Sequence, residues 1–87
     1  MKGKAKKVEA PSTRKPKPKF WTGNPPFRDD FGQRIVDEFI DGVTKMGPWA
    51  MMTPWSWGRY GASKTLGTGL GQRYKKQPDG MWLKVEG

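Results

Sequence analysis

The first nineteen residues set the strongest limit on what this chain can build. Eight of them are cationic, namely Lys2, Lys4, Lys6, Lys7, Arg14, Lys15, Lys17 and Lys19, against the single acid Glu9. Pro11, Pro16 and Pro18 interrupt any helix there, because proline lacks an amide proton and clashes with the preceding turn. A segment so charged and so poor in apolar surface cannot join a core, and it reads as a basic extended arm over residues 1–19. Its prolines and its shortage of arginine fit a mitochondrial presequence poorly.

Sixty-eight residues are left in which to fold. A core of that size supplies roughly 3–5 kcal/mol, and small proteins usually add disulfides, a metal or a partner. The chain has no cysteine and no histidine, which excludes disulfides and thiolate zinc sites and argues against a transition-metal staple or a cofactor. Leu, Ile, Val and Phe number thirteen of 87. That is below the roughly 20% at which a highly charged chain reads as disordered. The expected fold class is therefore a mostly irregular, extended small protein with no independent core, ordered against a partner.

One segment carries a regular period. Between Asp30 and Gly47, the residues Phe31, Ile35, Val36, Phe39, Ile40, Val43 and Met46 recur at three- and four-residue intervals. Arg34, Asp37, Glu38, Asp41 and Lys45 fall between them, as in an amphipathic helix. Asp30 stands at an N-cap, Gln33 at the capping-box position, and Gly47-Pro48 at a stop. This pattern predicts a helix over about 30–46, with Gly42 costing roughly 1 kcal/mol relative to alanine.

The other segments follow from punctuation. Residues 20–29 hold Phe20, Trp21, Pro25, Pro26 and Phe27 and read as an extended connector whose aromatics are packing anchors, with base stacking as the alternative. Residues 48–57 place Trp49, Met51, Met52, Trp55 and Trp57 between two prolines, a docking segment too short to cross a membrane. Residues 58–71 form a glycine-rich loop carrying Arg59 and Lys64. Gly58 to Thr65 comes close to a phosphate-binding loop, but that motif needs a strand before it and a helix after it, and neither is expected. In residues 72–87, two alternating runs flank Pro78-Asp79-Gly80 and predict a β-hairpin over about 72–86. Trp82, Lys84 and Glu86 would share one of its faces, and Arg73, Lys75 and Lys76 make it basic.

No nucleophile, base or metal cluster is legible, so no enzymatic activity and no small-molecule substrate are expected. Net charge is +9 at pH 7, with about −2 over residues 28–45 between two basic ends. Polyanion binding follows, with counterion release from phosphates as its source. In general architecture, this sequence of arm, helix, Trp/Met insert, glycine loop and basic hairpin resembles the small accessory proteins of organellar ribosomes, mitochondrial ones above all. Those proteins thread extended segments across RNA and between other proteins.

The resemblance implies a structural constituent of a mitochondrial ribosome, with rRNA and neighbouring ribosomal proteins as partners. Lys2, Lys4, Lys6, Lys7, Arg14, Lys15, Lys17 and Lys19 would meet rRNA phosphates, with Arg59, Lys64, Arg73, Lys75 and Lys76 as a second set. Phe31, Ile35, Phe39, Ile40, Val43, Trp49, Met51, Met52, Trp55 and Trp57 would dock on neighbouring proteins. The alternative is an accessory subunit of a mitochondrial membrane complex, its indoles at the bilayer interface.

Overall fold

Phe39 and Ile40 are adjacent in sequence and both fully buried. In an extended chain that requires cover on two sides, since successive strand side chains point to opposite faces. The computed structural model describes residues 17–87 and places both in β1, Glu38–Val43. Around it lie β2 (Trp49–Met52), the short helix α1 (Pro54–Tyr60), β3 (Gly71–Lys76) and β4 (Trp82–Glu86). The strands form one antiparallel sheet in the order β2-β1-β3-β4, so β1 and β3 are central.

The helix expected over 30–46 is therefore absent, and β1 occupies its second half. The misleading feature is two-sided burial. A strand covered on both faces shows consecutive apolar residues, which over a short stretch mimic helical spacing. Gly42, counted as a weak point of the helix, is a requirement of the sheet. A Cβ there would stand 2.8 Å from the Trp57 ring and 2.9 Å from the Leu70 carbonyl. The Gly47-Pro48 pair turns β1 into β2 instead of ending a helix. The Thr44 amide and hydroxyl donate to the Pro48 carbonyl at 3.0 and 2.7 Å, and Gly47 sits at φ 110°.

The expectation of no independent core is corrected as well. On one face of the sheet Ile35, Phe39 and Trp82 are buried together, with Trp21, Met51 and Tyr74 against them. The rings form a tight group: Trp21 meets Phe39 edge-on at 5.2 Å, and Tyr74 stacks on Phe39 at 5.2 Å. On the other face Ile40, Met52 and Trp57 are buried, with Phe31, Ala50, Tyr60 and Leu66 beside them. Counting Leu, Ile, Val and Phe missed this, because indoles, tyrosines and methionines fill much of the interior around Ile35, Phe39 and Ile40. An aromatic side chain buries about 150–250 Å² each, so few are needed.

α1 supplies Trp57 to the second face. Thr53 caps it by accepting from the Ser56 amide, and Pro54 occupies the first turn, where its missing amide proton loses nothing. The C-terminal strands pair as a hairpin around Pro78-Asp79-Gly80, but as half of the larger sheet. A bulge at Arg73/Tyr74 sets Glu86 opposite Arg73 and Lys84 opposite Tyr74. Glu86 thereby leaves the face of Trp82 and Lys84, on which simple alternation put it.

Residues in and on either side of the connector bond to both sheet edges. Trp21 donates to the Trp82 carbonyl at 2.9 Å, and Lys84 donates to that of Lys19 at 2.8 Å. On the opposite edge Asp30 donates to the Met51 carbonyl at 3.0 Å, and Met51 returns a bond to the Asp30 carboxylate at 2.8 Å. These bonds occupy part of each edge and limit pairing with other chains there.

Asp29, not Asp30, is the organising carboxylate. One oxygen accepts from the Phe31 and Gln33 amides at 2.9 and 2.8 Å; the other accepts from the Thr53 amide at 2.8 Å and its hydroxyl at 3.0 Å. Burial raises its pKa, but hydrogen bonds from Ser56, Thr53, Gln33 and Phe31 outweigh that and hold it below the ordinary 3.8. Its ionised form thus stabilises the fold above that value, and the contribution is lost as pH falls through the depressed pKa. Asp41 is the reverse case: burial, then the nearby Asp30 charge, raises its pKa, so stability declines as pH climbs from 3.8 through the raised value. Asp29→Ala leaves buried amides unpaired and should lower unfolding free energy by about 1–3 kcal/mol in urea titrations. Asp41→Asn should raise the midpoint at pH 7 and leave it unchanged at pH 3.

Candidate nucleic-acid interface

The base of the arm is fixed by the sheet. Phe20 bridges Leu83 on the free side of β4, so the chain at Lys17 and Lys19 emerges beside that strand. Lys76 lies across from Trp82 and Lys84 from Tyr74, so the two share the face on which Trp21 packs. Lys75 lies on the other face, level with Leu83 and Glu38. This side of the sheet thus carries Lys84 on β4 and Lys75 and Lys76 on β3. Lys2, Lys4, Lys6, Lys7, Arg14 and Lys15 lie outside the described residues.

The second basic set divides. Arg73 is committed to the fold, since its guanidinium pairs with Glu38 and, at 3.1 Å, with Glu86. It ties β1, β3 and β4 together and is not available to a phosphate. Lys64, Lys75 and Lys76 are exposed and have no ion-pair partner among the described residues. Arg59 lies over the Trp55 ring at 5.0 Å, with Tyr60 at 5.9 Å.

A second arginine–aromatic group was not anticipated. Phe27 is 60% exposed, with Arg34 over its ring at 4.8 Å and Arg28 at 5.4 Å. Arg28 and Arg34 are brought level by a small bridge closed by the Asp29 turn, and Arg28 also donates to the Gly32 carbonyl at 2.9 Å. In the sequence both lie in an acidic segment, Arg28 in the extended connector and Arg34 on the polar face of the expected helix. The turn that Asp29 makes is what sets them on one ring. Exposed rings with guanidinium groups across them are suited to stacking with unpaired bases.

The ten residues expected to dock on neighbours are placed as follows. Ile35, Phe39, Ile40, Met52 and Trp57 are in the protein's own interior. Phe31, Val43 and Met51 are partly buried, and Phe31 stacks on Tyr60 at 4.1 Å. Only Trp49 and Trp55 are open, at 47% and 54% exposure. No helix among the described residues is long and apolar enough to cross a membrane. No family model matches the chain, and no curated protein or solved structure is significantly similar to it.

The two tryptophans of α1 should behave oppositely. Trp57→Ala empties one core and should cost about 3–5 kcal/mol of stability by chemical denaturation. Trp55→Ala should change stability by less than about 0.5 kcal/mol. It should weaken binding to an unstructured RNA oligomer by about 1–3 kcal/mol, measured by fluorescence anisotropy.

Proposed function

We propose that the protein is a non-enzymatic RNA-binding element and a structural constituent of a ribonucleoprotein, with a ribosome as the assembly that suits it best. The observation that carries this reading is the basic arm leaving a lysine-rimmed sheet edge. Lys17 and Lys19 lie at its exit, with Lys84 on β4 and Lys75 and Lys76 on the neighbouring β3, and residues 1–16 beyond carry six cationic residues against one acid. Such an arm gains free energy by displacing counterions along a phosphate backbone, whatever the base sequence. Exposed rings at Phe27 and Trp55, each under arginine, add stacking on unpaired bases, which duplex DNA does not offer. The self-made aromatic core means that the host need not supply the fold. Its part is to receive the arm and the open rings.

Replacing Lys2, Lys4, Lys6, Lys7, Lys15, Lys17 and Lys19 by Gln tests the electrostatic part. The slope of log K against log salt for single-stranded RNA should flatten by about 0.7 for every phosphate that the arm no longer neutralises. An unchanged slope would remove the arm from the interface. Recovery of the tagged chain with large rRNA, released by ribonuclease, supports the ribosomal setting; recovery with membranes that ribonuclease does not disturb contradicts it.

A further inference from the structure

The turn between β1 and β2 and the loop after α1 border an open pocket of about 450 Å³, lined by Lys45, Trp57, Gly58, Gly61, Ala62, Ser63 and Lys64. Its lining residues include two lysines and no acid. We infer that this pocket is a nucleotide site, taking a phosphate between Lys45 and Lys64 and the attached organic body against the Trp57 side. None of its lining residues belongs to the arm or to the Phe27 and Trp55 groups.

Three features support it. The segments that carry the lysines are joined by backbone: Lys45 donates its amide to the Tyr60 carbonyl at 2.8 Å, and Ala62, two residues before Lys64, donates to that of Val43 at 2.9 Å. Thr44 bridges Gly61 between those bonds, so the two cationic segments are held side by side before any ligand arrives. Such preorganisation lowers the ordering cost of binding.

Next, the walls are small by necessity. A Cβ at Gly61 would collide with the Trp57 ring, whereas one at Gly58 would meet nothing within 4 Å. The indole therefore comes up to the backbone, and open space remains along the helix. Finally, the volume falls within the roughly 300–1,000 Å³ usual for small-molecule sites, more than inorganic phosphate alone requires. Ser63 and Thr65 bond to each other through their hydroxyls at 3.1 Å, which leaves one hydroxyl proton of the pair for an acceptor. The arrangement is not a phosphate-binding loop of the strand–loop–helix kind, since α1 precedes it and no helix follows among the described residues.

The experiment is a set of ¹H–¹⁵N titrations of the full chain with inorganic phosphate, adenosine 5′-monophosphate and adenosine. Phosphate and the monophosphate should shift the amides of Lys45 and residues 61–64, with the monophosphate about tenfold tighter; adenosine should leave them in place. Lys45→Gln with Lys64→Gln should weaken the monophosphate by at least about tenfold with the rest of the spectrum unchanged. A trinucleotide carrying a 5′-phosphate identifies a strand end as the ligand if it binds tighter than the monophosphate, and a free nucleotide if it does not. Shifts centred on Lys75 and Lys76, or affinity indifferent to the double substitution, would overturn the site. Loss of the site with the RNA salt slope intact removes this inference alone.

Discussion

Everything in this fold depends on β1 being covered on both faces. Phe39 gathers Trp21, Tyr74 and Trp82 on one side, while Ile40 meets Met52 and Trp57 on the other. Neither layer is large, and each alone would leave a four-stranded sheet with one wet face. Together they give a chain poor in aliphatic residues two small aromatic interiors that share a central strand. The demand for close approach fixes the glycines on that strand's path, since Gly42 lies directly beneath the Trp57 ring.

Asp29 connects the layers to the surface. By holding Phe31, Gln33 and Thr53 at once, it turns the connector, seats the cap of α1 and brings Arg28 level with Arg34. A single buried carboxylate thus links the cap that positions Trp57 with the exposed Phe27 group. Lys19 and Trp21 bond to β4 and Asp30 to β2, so the base of the basic arm lies beside β4. Core, edges and candidate interface are consequences of the same short stretch of chain.

Some of this was legible and some was not, for physical reasons. Pro78-Asp79-Gly80 between alternating runs marks the β3–β4 turn because turn chemistry is local, and the lysine arm is visible because charge is. The helix expected over 30–46 failed because two-sided burial gives a strand the same apolar crowding as a helix face. α1 hid in the Trp/Met run: Thr53-Pro54 is a proper start signal, but seven residues carry too little period to reveal it. The bulge that moves Glu86 opposite Arg73, the Phe27 group and the pocket at Lys45 and Lys64 are products of long-range pairing. No local pattern announces them. Arg73 shows the limit most plainly, since only the sheet reveals that its charge is already spent on Glu38 and Glu86.

The central claim is that β1 is the two-faced heart of a sheet that the chain builds by itself. Native-state hydrogen exchange on the isolated, monomeric protein tests it residue by residue. Amides in β1 and β3 that bond across the sheet should be the slowest to exchange and should open together in one cooperative event. Uniformly fast exchange through residues 38–43, or protection running unbroken from residue 31 to 46 as in a helix, would contradict it.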